Sequence, residues 1–174
     1  MRSRNTRTAA ATLAAPLLAG VLAAPAGAVT AGSAADTASV THGAAGPTVR
    51  YTFPITGGSL NLAKVSGAIG HSGGLHFYNL GNKRSLTVQG FRVVLGDAPR
   101  LTGYVPALHA RIPVFDLNLN NATITPTPSG VRVDKVGATL TAGAATGLNG
   151  ALHTSVFTAG LRVGTATVTA VLGR

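Results

Sequence analysis

The chain has 174 residues, with 14 Lys and Arg against four Asp and no Glu, for a formal net charge of +10. It contains neither cysteine nor tryptophan, which excludes disulfides, thiol catalysis, iron–sulfur clusters and thiolate zinc sites. Only 10% of its residues are charged, so its polarity rests on Thr, Ser, Asn and Gly, and the Thr and Val content favours strands.

Residues 1–28 read as a secretory leader. Arg2, Arg4 and Arg7 form a basic start, an alanine-rich apolar run covers 9–24, and Ala26-Gly27-Ala28 offers small residues before a cut at Val29. The apolar run is shorter than the roughly 20 residues of a membrane span, and Pro16 interrupts it. The expected product is secreted, or loosely attached to the cell wall, with no integral membrane segment. Removing residues 1–28 leaves 14 − 3 = 11 basic against four acidic residues, a net charge of +7 on about one domain's worth of chain. The remaining basic residues are spread singly apart from Lys83-Arg84, and no aromatic residues interleave with them. That pattern argues against nucleic acid and towards an anionic component of the cell envelope.

Residues 29–47 are small and polar without apolar periodicity, so they read as a disordered linker carrying His42. The folded domain is expected over 48–174. Val49, Tyr51, Phe53 and Ile55 alternate with polar residues, and Gly57-Gly58 predict a turn into a second strand with Leu60 and Leu62. Ile69 and His71 share a parity, Gly73-Gly74 predict another turn, and Leu75 and Phe77 face away from His76 and Tyr78. Gly81-Asn82 mark a further turn. The apolar parity slips at Gly90 and again just after Pro113, which predicts bulged, bent strands there. Thr141 is placed to cap a helix in which Ala144, Ala145, Leu148 and Leu152 recur at helical spacing. A last strand is expected over 161–172. The fold class is therefore mainly β: an antiparallel β-sandwich or open barrel with one short helix near 142–152.

Catalytic chemistry finds little support. Asp97, Asp116 and Asp134 are the carboxylates of the expected domain, and nothing in their spacing pairs them as general acid and base. No G-x-S-x-G element is present, so a secreted hydrolase is an outlying alternative. His71 and His76, five apart, match no metal signature, His109 falls in a Pro-flanked loop, and His153 ends the helix. His71 stands apart because its parity turns it towards the apolar side. It is read either as a histidine hydrogen-bonded to a buried carbonyl or as a residue that orients a ligand.

The segment G-A-I-G-H-S-G-G-L-H-F (67–77), followed by L-T-V-Q-G-F-R-V-V-L (86–95), resembles the core of the HtaA-type domain of secreted and surface actinobacterial haemin-uptake proteins. The stretch G-V-R-V-D-K-V-G-A-T-L-T-A-G-A-A-T-G-L (130–148) is similar to a later run of that family, with G-A-T-L-T-A its most specific part. The likeness covers about 50–174. It implies haem binding through a Tyr ligand supported by a His, with His71 at the position of that His and Tyr51 or Tyr104 as the candidate ligand. The reading taken forward is a secreted, non-catalytic, β-rich envelope-associated binding or structural module without a required cofactor. The alternative is an extracellular haemin-binding protein using His71 with Tyr51 or Tyr104.

Overall fold

The computed structural model describes residues 10–16, 29–33, 37–43, 46–61, 65–128 and 130–171, with side-chain surroundings from Tyr51 onward. The strands are β1 (Ala10–Pro16), β2 (Val29–Ser33), β3 (Thr37–Gly43), β4 (Gly46–Asn61), β5 (Ser66–His71), β6 (Gly74–Asn79) and β7 (Ser85–Leu95). They continue with β8 (Arg100–Val105), β9 (Ala110–Asn118), β10 (Thr123–Thr127), β11 (Gly130–Leu140) and β12 (Arg162–Val171). Helix α1 (Ala142–Leu152) lies between the last two.

All described pairings are antiparallel. The sheet runs β7-β5-β4-β1-β12-β11-β9-β8, and a β7–β8 pairing brings it back to its start as a barrel. Of the two mainly-β architectures expected, the barrel is the one formed, and it is ringed rather than open. Strands β6 and β2 extend from β7, β3 pairs with β4, and β10 pairs with β11.

Parts of the stretches read as leader and linker pair into this sheet in the full-length chain. Strand β1 lies between β4 and β12, with Leu13 opposite Tyr51 on one side and Ala166 on the other. Strands β2 and β3 cover 29–33 and 37–43 and pair with β6 and β4. The cleavage position at Ala28, Leu62, and residues 172–174 lie outside the described residues.

Glycine acts differently from expectation at two places. Gly57-Gly58 do not turn the chain; β4 is one 16-residue strand with a register shift between Ile55 and Gly57. The backbone there takes φ values of 152° and 133°, so the strand kinks without reversing. At Gly58 a Cβ would lie 2.2 Å from the Ala68 carbonyl oxygen, so the kink also brings two backbones together. Gly73-Gly74 likewise make a bend, not a hairpin. Strands β5 and β6 follow each other along one edge of β7, β5 on Arg92–Leu95 and β6 on Ser85–Gln89.

Both predicted parity slips are bulges. Register shifts between Gln89 and Arg92, where Gly90 has φ 55°, and between Leu101 and Thr102 opposite Pro113 and Phe115. The second lets Val114 and Phe115 both be buried. The helix is where its spacing placed it. Thr141 accepts from the Ala144 N–H at 3.1 Å, and Ala144, Ala145, Leu148 and Leu152 are its buried residues. Its other end is held by the β6–β7 turn: Asn79 and Asn82 each donate an amide N–H to the Leu152 carbonyl at 2.9 Å. These bonds satisfy a carbonyl that the helix itself leaves without a partner. The core beneath includes an edge-to-face pair of Phe53 and Phe91, with ring centroids 5.1 Å apart.

Packing is tight where β8 crosses β7. A Cβ at Gly103 would stand 2.3 Å from Val88 Cγ1 and 3.1 Å from the Phe91 ring. Val88 and Phe91 are 3% and 2% exposed, and a β-branched side chain has little rotamer freedom to give. Gly103→Ala is expected to destabilise the fold by about 1–3 kcal/mol through overpacking, read as a lower midpoint in thermal or denaturant unfolding.

Candidate functional site

The bend between β5 and β6 sets the position of His71. Its neighbour Ser72 donates its N–H to the Pro54 carbonyl at 2.9 Å, and Gly90 donates to the Gly73 carbonyl at 2.8 Å. The bend is thus tied to β4 on one side and to the β7 bulge on the other. His71, 5% exposed, faces the interior with Ile69, as its parity predicts.

The imidazole Nδ1 lies 3.3 Å from the Phe53 carbonyl oxygen. A carbonyl can only accept, so Nδ1 carries the proton in this contact. Burial lowers the His71 pKa by disfavouring the charged ring, and the Phe53 hydrogen bond offsets part of that. The ring is therefore neutral near pH 7, and Nε2 holds a lone pair. This Nε2 is buried and has no hydrogen-bond partner. An unsatisfied buried acceptor is costly. The expected buried carbonyl partner is present, and a second nitrogen remains over.

His71 forms part of a groove of about 400 Å³ on the β4–β5–β7 face. Gly57, Gly58, Ala68 and Gly70 line it with almost no side chain, so a flat ligand can approach the backbone closely. Arg92 and Arg111, both exposed, are its cations. Arg111 is held in place by donating to the Gly90 carbonyl at 2.7 Å. The sequence reading did not single out either arginine, because they come from strands β7 and β9 and meet only through the bulge at Gly90.

The two tyrosines lie in different surroundings. Tyr51 is buried on β4, its ring stacked against Phe53 at 6.5 Å. His71 is opposite Ile55, four residues along β4 from Tyr51, which is about 13 Å of strand. Burial raises the Tyr51 pKa and so works against a phenolate there. Tyr104 is half-buried on β8 and is the register partner of Arg111, on the face opposite the buried Gly103 and Val105. It is not among the residues that line the groove. Neither hydroxyl meets Nε2 in this arrangement, since Nε2 has no partner.

The other candidates disperse. His76 bonds Thr87 at 2.9 Å on the exposed side of β6, while His109 and His153 are left-handed caps of a 3-10 turn and of α1. Asp116 pairs with Arg100 at 3.3 Å. Asp134 is gripped by Arg132 at 2.7 and 2.8 Å, which lowers its pKa, with Thr167 donating at 2.9 Å. No carboxylate lines the groove. Among the described residues no three His, Cys, Asp or Glu gather as metal ligands, and no helix is long and apolar enough to cross a membrane.

A haem fits this donor set in part of its chemistry. A neutral imidazole with a free Nε2 suits a phenol donor or ferric iron, and two arginines suit carboxylates on a flat ring. No family model and no curated protein matches the sequence. Among solved structures, the chain is similar to the C-terminal domain of HtaA from Corynebacterium glutamicum, with a TM-score of 0.60 at 15% identity over 95% of this chain and 98% of that one. It is also similar to a domain-swapped dimer formed by a histidine-to-alanine variant of that domain, with a TM-score of 0.52 at 16% identity over 84% of each chain. The fold is that of an HtaA-type domain.

The buried imidazole makes stability depend on pH. Above the ordinary histidine value of 6.5, His71 is neutral folded or unfolded and contributes no slope. Below it the unfolded chain takes up a proton that the folded chain resists, so stability falls as pH drops towards the lowered folded value. His71→Asn, which keeps a donor for the Phe53 carbonyl, is expected to remove a slope of at most about 1.4 kcal/mol per pH unit. Urea unfolding of both proteins between pH 7 and pH 5 checks this; parallel curves would contradict it.

Proposed function

We propose that this chain is a secreted, non-catalytic binding module of the actinobacterial cell envelope, and that its groove at His71 captures haemin. The observations that carry the ligand are the groove itself, lined by glycines with Arg92 and Arg111 as its cations, and His71 as the buried member of its lining, one nitrogen committed to Phe53. The HtaA-type fold supports the same reading.

His71 acts through Nε2. That nitrogen is buried, so the ring must turn or be uncovered on binding; Nε2 would then accept from a tyrosine hydroxyl or ligate the iron. Tyr104 suits the ligand role better than Tyr51, because it is half-buried in register with Arg111 while Tyr51 lies in the core. Arg92 and Arg111 hold the propionates by charge-assisted hydrogen bonds. Haemin supplies the ferric centre to which phenolate oxygen has high affinity. The non-catalytic reading is supported by the carboxylates: Asp116 and Asp134 are tied to arginines, and Asp97, which lines a surface pocket with Asp116, also lies outside the groove.

A haemin titration followed at the Soret band tests the ligand. Saturation at one haemin per chain is expected, with affinity at least tenfold weaker in His71→Ala and in the Arg92→Ala, Arg111→Ala double variant. Tyr104→Phe should shift the spectrum, and Tyr51→Phe should leave it unchanged. A non-saturating trace, or one indifferent to His71→Ala, would overturn haemin capture and turn the search to anionic envelope polymers.

Secretion is tested separately. Mass spectrometry of the product recovered from culture medium is expected to find an N-terminus at Val29. Cleavage there removes β1 and leaves β4 and β12 without the strand that pairs with both. An exported product that retains residues 10–16 would count against the leader reading.

A further inference from the structure

The barrel has a second cavity, which shares no lining residue with the groove. It lies at the end where β7 and β9 finish, and its volume is about 220 Å³. All eleven lining residues are Val, Leu, Ile or Ala. Ile69, Val93, Leu117 and Val136, each 8% exposed or less, make its depth. Val65 and Ile124, 41% and 52% exposed, stand at its opening. The opposite end of the barrel is covered by α1, which packs on β6, β7 and β9. One end of the barrel is therefore plugged and the other is open and apolar.

Water has no place in such a space, because it needs two or more polar partners and the walls supply none. Left empty, the walls forfeit their dispersion contacts on one side. Apolar cavities of about 150 Å³ accept a benzene-sized guest, so this one has room for more. The walls carry no aromatic ring to stack on, only branched aliphatic surface, and the opening is rimmed by exposed aliphatic side chains. That combination suits a flexible hydrocarbon chain whose far end stays in solvent.

We propose that this end of the barrel binds a medium-length acyl chain, as carried by a free fatty acid or by an envelope lipid. The two sources share the acyl chain and differ in what remains outside. This site is independent of the groove at His71.

Calorimetric titration of the full chain with decanoate tests the proposal, beside sedimentation with phosphatidylglycerol vesicles. Saturable one-to-one binding of decanoate is expected, with a raised unfolding temperature. Ala122→Phe, which fills the half-buried rim, should weaken binding at least tenfold, and the exposed Ile124→Ser severalfold. The Arg92→Ala, Arg111→Ala double variant, whose exposed side chains line the groove and not this cavity, should leave decanoate binding unchanged even where it weakens the Soret response. Co-sedimentation lost in Ala122→Phe assigns the chain to a lipid; decanoate binding without co-sedimentation assigns it to the free acid. Absence of saturable binding in both arms, or equal binding by wild type, Ala122→Phe and Ile124→Ser, would overturn it.

Discussion

Strand β7 is the constraint on which the rest of the structure depends. Its first half pairs with β6 and its second with β5, while its other edge pairs with β8 and closes the ring. One strand can serve three partners only if it bends, and the bend is Gly90 at φ 55°, a conformation that costs glycine little and other residues more. The bulge turns the apolar parity over, so Val88 and Phe91, three residues apart, both enter the core. A straight β7 would present one of them to solvent and leave the sheet open.

The same bulge makes the groove. Gly90 binds the β5–β6 bend through Gly73 and anchors Arg111 through its carbonyl. His71 is the last residue of β5 before that bend, so the kink that closes the barrel also carries the imidazole to the inner edge of a glycine-lined surface. A polar group in this setting needs a reason. The Phe53 carbonyl satisfies one nitrogen of the ring, and the other has no hydrogen-bond partner.

The two ends of the barrel differ for reasons of local sequence. At one end Thr141 starts a helix with glycines on its exposed side and small apolar residues on its buried side, too weak to persist alone. It holds because Asn79 and Asn82 bind its last carbonyl and its buried face seals the barrel. At the other end β10 is exposed along almost its whole length and pairs with β11, and among the described residues no helix covers the aliphatic interior there.

The sequence alone determined what depends on near neighbours. Alternation marked strands over 49–55, 69–78, 86–95 and 112–119 but not β1–β3, β8 or β10; the parity slips located the bulges at Gly90 and Pro113, and Thr141 with its periodic apolar residues placed the helix within a residue. The inward direction of His71 also followed from its parity with Ile69. Tertiary structure decided what depends on contacts between distant segments. Gly57-Gly58 and Gly73-Gly74 look like turns because glycine permits reversal, and only their strand partners make them kinks. Arg92 and Arg111 join His71 because β7 and β9 converge around β8. Asn79 becomes a helix cap 73 residues away from its partner. Ring closure lies in the same class, since hydrogen bonding between β7 and β8 carries no periodic mark in either strand. Local pattern encodes conformation and facing; it does not encode which strand lies alongside, and the site is made of strands alongside.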